Sequence, residues 1–428
     1  MGFVTSFMKI RDRTHRPLFR LGGATFAGTV GEAIFFLASI VAVLQAKGSS
    51  LSMSSLIILT LLPSILLAPF QGVFLDRFNI KILAVVSNIL RALIVFFLML
   101  VSWNRALPLH DLYLAIVGYY IVWYFMMPLS ETMVTHVTDK EGLYVGMAIL
   151  QGAWQTGALG SSFVAGFLLN AASLHLVFLI IAILDIFSAF LFWIIPFPLH
   201  QVQQTTNTHH FIFSLKKNVK TFHKDLSAGI RYMLSSKTLL ILIVVSSAVF
   251  PFYQSLNTII GPFNQNVLHG NSLSLGLIEG VFGIGSLLSA IFCVQFFKFR
   301  KYFLVFFISQ ILLLGVVIIL TFATSVKIAL IFFFGIGMFS GNMKVISKSL
   351  LTRLISKDYS GRVFSTSSFI GLIAGVFTAL FTGLLAYHFT VLGFLVAIII
   401  IMLSSFATLF LWKEFSRKNN LQFCKEVK

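Results

Sequence analysis

Along the chain, long apolar runs alternate with short clusters of charged and turn-forming residues. Twelve runs approach or exceed the ~20 residues a membrane helix needs. They lie near 21–46, 52–75, 82–103, 112–135, 144–169, 175–196, 238–264, 273–297, 302–323, 327–346, 363–387 and 390–412. Hydrocarbon offers the backbone no hydrogen-bond partners, so each run is expected to satisfy its own N–H and C=O groups as a helix. The shortest break, Tyr387-His388-Phe389, separates the last two. The expected fold class is all-α integral membrane, with twelve transmembrane helices in two six-helix bundles.

The longest connection divides the chain and sets the expected domains: a basic arm at 1–20, a first bundle at 21–196, a linker at 197–237, a second bundle at 238–412 and a tail at 413–428. The linker opens with a polar run from Gln201 to His210. It continues with Phe222, Leu226, Ile230 and Met233 at helical spacing among Lys216, Lys217, Lys220, Lys224 and Arg231. A basic amphipathic helix of this kind is expected to lie on an anionic cytoplasmic leaflet. The two halves also align weakly at an offset of 222 (309 − 87), which sets Ser87-Asn88-Ile89-Leu90 on Ser309-Gln310-Ile311-Leu312 and Glu32 on Gln254. Such a repeat suggests two related bundles around a central site.

Composition narrows the picture. Charged residues make up 10% of the chain and hydrophobic ones 58%, against roughly 25% charged in soluble domains, so a soluble fold is excluded. The net charge of +18 does not mark a nucleic-acid binder, because its position follows topology. Of 31 Lys and Arg, all but Lys47, Arg105 and Lys327 fall on one side of the expected spans. By the positive-inside rule both termini are cytoplasmic. The expected location is a cell membrane, the bacterial inner membrane in particular. The basic stretch Met1 to Arg20 has no short apolar core followed by a cleavage site, so no removable leader is expected and the first apolar run reads as a retained span.

Few residues carry chemistry. No G-x-x-x-x-G-K-[ST], H-E-x-x-H or G-x-S-x-G motif occurs, and Cys293 and Cys424 form neither a disulfide framework nor a metal cluster. Neither an enzyme, a cofactor nor a metal is indicated. Four acids, Glu32, Glu131, Asp185 and Glu279, lie inside the runs. Each costs about 2.5 to 3.5 kcal/mol to insert unless it finds a partner, a wet cavity or a proton. Glu32, mid-span and far from basic residues in sequence, is the foremost candidate for exchanging protons or meeting a cationic substrate. Asp185, with Ser188 one turn on, and Gln155 and Gln254 are candidate cavity groups. Glu279 belongs to an outer gate or snorkels to the surface from a glycine-rich helix. Arg91, the basic residue well inside the third run, is expected to pair with Glu131. Arg91 and Lys344 are the basic groups expected near a cavity, which favours neutral or cationic amphiphiles over anionic ones.

The stretch Gly72-Val-Phe-Leu-Asp76-Arg77-Phe78-Asn79-Ile80-Lys81 closes the second span. It resembles the signature loop between helices two and three of the major facilitator superfamily, G-x-x-x-D-R-x-G-R-K, with Asn79 and Ile80 where the family prefers Gly and Arg. Gly31-Glu32, Leu62-Pro63-Ser64, Ser87-Asn88-Ile89-Leu90-Arg91-Ala92, Asp225-Leu-Ser-Ala-Gly229-Ile-Arg231-Tyr232 and Gly361-Arg362-Val363-Phe364 resemble its macrolide-efflux and enterobactin-exporter branch. The resemblance implies a monomeric secondary transporter of a small molecule, coupled to protons and working by alternating access. It implies a cytoplasmic gate of Gly72, Asp76, Arg77, Lys81, Arg91, Glu131, Gly361 and Arg362, with Asp76 capping the start of helix eleven. In helix five, Ser161 stands where antiporters of the family carry proline. A siderophore exporter and a lysophospholipid flippase share the same expected fold.

Overall fold

A computed structural model describes residues 12–46, 48–70, 78–103, 107–138, 142–196, 222, 224–235, 237–296, 302–355 and 359–426. The signature-loop residues Gly72, Asp76 and Arg77 and most of the linker lie outside the described residues. The described elements are helices: α1 (Asp12–Gln45), α2 (Ser50–Leu67), α3 (Ile80–Trp103), α4 (Leu109–Trp123), α5 (Met126–Val137), α6 (Leu143–Ala171) and α7 (Leu174–Trp193) in the first half. The second half has α8 (Lys237–Ser247), α9 (Val249–Asn266), α10 (Ser272–Phe296), α11 (Tyr302–Leu320), α12 (Val326–Leu354), α13 (Ser360–Ala386) and α14 (Phe394–Glu426).

Among the described residues, ten stretches are long and apolar enough to cross a membrane, with α4 and α5 together forming Leu109–Val137 and α8 and α9 forming Leu239–Asn266. The shorter apolar run Leu304–Leu320 in α11 and the 29-residue α6 bring the passes to the expected twelve (10 + 1 + 1). Both two-piece spans break where proline demands it. Proline lacks an N–H and crowds the carbonyl four residues back. Those carbonyls belong to Tyr124 for Pro128 and Ser247 for Pro251, the sites at which α4 and α8 end. Among the described residues α2 stops at Leu67, because Ala68 precedes Pro69 and is disfavoured as helix. Asn79, which replaces the family's glycine, caps α3: its Oδ1 accepts from the N–H groups of Lys81 (3.0 Å) and Ile82 (3.2 Å).

The chain forms two compact units, residues 1–47 with 62–220 and residues 48–61 with 221–428. In the first, α1 packs on α6 and α7, and α3 on α7. An apolar core of Leu21, Val85, Leu129, Met133, Leu150 and Phe192 joins five of its helices. In the second, α10 packs on α12 and α9 on α13. The α10 to α12 contact is backbone to backbone: a Cβ on Gly337 would fall 2.0 Å from the Phe282 carbonyl oxygen, so only glycine fits. The start of α2 groups with this unit although it lies early in the chain. Ser50 Oγ donates to the Ala386 carbonyl at 3.1 Å, and Ser54 Oγ to that of Ala379 at 2.8 Å.

The described part of the amphipathic linker, 224–234, is helical as its spacing predicts, but its stripe does not act as one apolar face. Met233 is buried and Phe222 meets Phe369 edge-on at 5.4 Å, whereas Ile230 and Leu234 are exposed. Asp225 pairs with Arg362 at 3.0 Å, and the Tyr232 ring stacks on Tyr359 at 4.4 Å. The stretch is therefore docked on the start of α13.

Candidate functional site

The first unit encloses a polar cluster in an otherwise apolar interior. Arg91 on α3 and Asp185 on α7 are both fully buried, with Arg91 Nη2 2.6 Å from Asp185 Oδ1. The same nitrogen donates to the Gly28 carbonyl at 3.0 Å and to Tyr119 Oη at 2.5 Å, while Nη1 donates to Asn88 Oδ1 at 2.9 Å. Asn88 Nδ2 is spent on the Ala84 carbonyl at 2.8 Å, which fixes its oxygen toward Arg91. The guanidinium also lies 4.7 Å from the centroid of Tyr119 and 4.5 Å from that of Trp123. Charge-assisted hydrogen bonds and aromatic faces together replace the water a buried arginine loses.

Two glycines of α1 make this possible. A Cβ on Gly31 would stand 3.0 Å from Asp185 Oδ1, and one on Gly28 3.1 Å from Ser188 Oγ. Ser188 itself donates to the Ala24 carbonyl at 2.8 Å, tying α7 to α1. One residue past Gly31, half-buried Glu32 accepts from Tyr120 Oη at 2.9 Å and lies within Coulombic reach of Arg91. One guanidinium thus sits against the carboxyl group of Asp185, with that of Glu32 as a second one in the same cluster. It balances the charge of one of them; the other needs a proton or a cation to be neutral in a low-dielectric interior.

The structure gathers Glu32, Arg91 and Asp185, which the sequence had divided between a cavity and a gate. Arg91 pairs with Asp185 in place of the Glu131 expected for it, because the face of α3 that carries Arg91 is the face packed on α7. Glu131 is half-buried on α5. Gln155 is exposed on α6. Lys81 Nζ donates to the Ile195 carbonyl at 2.8 Å, and Arg20 Nη1 to that of Ile194 at 3.0 Å, so two cations sit at the carbonyl end of α7 where its dipole is negative. Ser161 is buried and its hydroxyl donates to the Gly157 carbonyl of its own helix. Tyr119, Tyr120, Asn88 and Trp123 were missed as members of the cluster. The adjacent tyrosines, two hydroxyls in an apolar span, were the available signal.

In the second unit, Gln254 is buried on α9 with its side chain against Gly375, and Arg362 is held by Asp225 at the start of α13, the helix whose first turn includes Gly361. Glu279 is half-buried on α10, but its Oε1 is shut off from solvent and has no hydrogen-bond partner among the described residues. One carboxyl oxygen is therefore turned away from solvent. The offset of 222 (309 − 87) aligns side-chain burial as well as sequence. Ser87 and Ser309, like Asn88 and Gln310, are buried, while Ile89 and Ile311 are 42% and 45% exposed and Leu90 and Leu312 are 44% and 45%.

A model of the Major Facilitator Superfamily matches residues 21–308, more than half of the chain. Among solved structures, the chain is similar to a point mutant of the nucleoside transporter NupG, with a TM-score of 0.72 and 12% identity over 92% of this chain and 99% of that one. It is also similar to a bacterial homolog of the human lysosomal transporter Spinster in an inward-facing, unoccupied conformation, with a TM-score of 0.69 and 13% identity over 94% and 98% of the two chains. No curated protein matches it. At such identities the structural likeness speaks for the fold. Twelve helical passes and a matching family model over most of the chain make this a multi-pass membrane protein, a transporter rather than an enzyme, and the chain belongs to the major facilitator superfamily.

Proposed function

We propose that the protein is a proton-coupled exporter of an amphiphilic small molecule, acting by alternating access as a monomer in a bacterial inner membrane with both termini cytoplasmic. The observation that carries the reading is the charge count of the first unit's cluster, one guanidinium with two carboxyl groups. Asp185 is fixed by direct contact with Arg91, which leaves Glu32, held by a single tyrosine hydroxyl, to take and release the proton. Each charge moved through 100 mV supplies about 2.3 kcal/mol, enough for roughly fortyfold accumulation of substrate. In this reading Gln155 and Gln254 meet the substrate and Glu279 serves the outer side. Asp76 with Gly72, Arg77, Lys81, Glu131, Gly361 and Arg362 controls the cytoplasmic side. The efflux direction follows from the resemblance of Gly31-Glu32 and the Asp225 to Tyr232 stretch to the macrolide and enterobactin exporters.

The test is transport in inside-out vesicles against a panel of macrolides, siderophores and lysophospholipids, with and without an uncoupler. Substrate accumulation that collapses with the uncoupler and is absent in Glu32→Gln is the expected result. Uptake indifferent to the uncoupler, together with full activity of Glu32→Gln, overturns proton coupling.

A further inference from the structure

A cavity of about 350 Å³ opens in the second unit among α8, α12 and α13, within the range of about 300 to 1,000 Å³ typical of small-molecule sites. Its polar lining is Lys344, Lys348, Ser246, Ser347, Ser367 and Ser368. The two lysines stand one turn apart on α12, so both ammonium groups reach the same side of that helix, where like charges repel. Facing them are hydroxyls from two other helices. Ser247, next to Ser246, shares a hydrogen bond of 2.8 Å with Ser367, which fixes the spacing of α8 and α13 at the cavity wall. No carboxylate lies among the described residues that line it. Leu351 and Phe364 complete the lining with an apolar surface.

The position matters as much as the composition. Counted along the axes, Ser246 is nine residues into α8, Ser367 seven into α13 and Lys344 ten before the end of α12, which places the group roughly 10 to 15 Å inside the helix ends. Two cations and several hydroxyls at such a depth concentrate donors on one small volume. Ammonium groups donate only, and hydroxyls that now donate within their own helices, as Ser246 does to the Leu242 carbonyl at 2.7 Å and Ser347 to that of Lys344 at 3.4 Å, rotate to donate where a charged acceptor is present. The ligand that uses every one of these groups is an oxyanion, and the adjoining Leu351 and Phe364 suit a hydrocarbon chain attached to it.

We infer that this cavity binds the oxyanion head of an amphiphile, a phosphate, sulfate or carboxylate carried on an alkyl chain, with Lys344 and Lys348 as the charge partners and the α8 and α13 serines as hydroxyl donors. The site runs against the sequence-based preference for neutral or cationic ligands, which counted Arg91 and Lys344 but not Lys348. Its groups come from three helices, with Ser246 of α8 ninety-eight residues before Lys344 of α12 (344 − 246 = 98), and their convergence is a property of the fold. The inference does not depend on proton coupling, because binding needs no gradient.

The experiment measures binding of dodecyl phosphate to the purified full-length protein in a maltoside detergent, with inorganic phosphate and dodecanol as head-only and chain-only probes. Dodecyl phosphate is expected to bind at least tenfold tighter than either, and more weakly as salt is raised. Lys344→Gln with Lys348→Gln should weaken it at least tenfold, while Lys344→Arg with Lys348→Arg keeps it within threefold. Lys327→Gln, at the other end of α12, should bind as the parent does. In nanodiscs, competition by phosphatidylglycerol identifies a membrane lipid as occupant; its absence, with binding retained, identifies a soluble amphiphile. Unchanged affinity in the double glutamine variant, or equal binding of dodecanol, overturns the proposal.

Discussion

Position 91 holds an arginine, and position 313, its counterpart 222 residues on, holds a leucine; both are fully buried in the third helix of their halves. Around Arg91 the first unit gathers Asp185, Glu32 and two tyrosine hydroxyls. Around Leu313 the second keeps only the neutral remnant of that arrangement: Gln310, the counterpart of Asn88, donates to Ser404 on the last helix at 2.8 Å. Ala407 stands at the place of Asp185 and Gln254 at that of Glu32. The same helix pair is joined in both halves, once by an ion pair and once by an amide and a hydroxyl. An ion pair is therefore not required to hold this packing, and its retention in one half points to a use beyond stability.

The comparison breaks most visibly at Asp185. Asp185→Leu leaves Arg91 buried without its carboxylate and should cost about 3 to 5 kcal/mol, read as loss of the monodisperse peak and a lower Tm in detergent. Arg91→Leu with Asp185→Leu, which copies the second half, should recover most of that loss while transport stays absent. A double variant no more stable than the single one would show that the second half is a poor guide to the first. Glu32→Gln, which copies Gln254, should keep the fold but lower proton-driven transport about a hundredfold, the lower end of what a proton-transfer group contributes. Gln310→Leu, in turn, should cost about 1 to 3 kcal/mol of stability by leaving Ser404 unpaired. At the small end, Asp225→Asn removes an ion pair whose partners are about half exposed; a change in Tm corresponding to less than about 1 kcal/mol is expected.

The twelve passes were legible because hydrophobic run length is a direct physical requirement of the bilayer. The charged members of the first unit's cluster, Glu32, Arg91 and Asp185, were legible for a related reason: a charge that is expensive in lipid stands out where charges are scarce. Their pairing was not. Arg91 and Glu131 are plausible neighbours along the chain, but which face of α3 meets which helix depends on packing that no local spacing encodes. Tyr119 and Tyr120 were hidden by being aromatic in a span full of aromatics, although their hydroxyls are what they bring to the site. The linker stripe illustrates a further limit. Helical spacing was read correctly, yet a stripe that can lie on lipid can equally dock on protein, and here Phe222 meets Phe369 of α13 and Met233 is buried while Ile230 is exposed.

The Arg91 to Asp185 contact also sets a clock on biogenesis. Asp185 is synthesised ninety-four residues after Arg91 (185 − 91 = 94), which at about 5 to 20 residues per second amounts to roughly 5 to 20 s. For that interval the third span must wait with its guanidinium unmatched, either sheltered by the insertion machinery or drawn toward the interface, until the sixth span arrives. A ribosome stalled anywhere between the two would release a membrane segment that has no stable place to rest, and quality control would meet this chain there first.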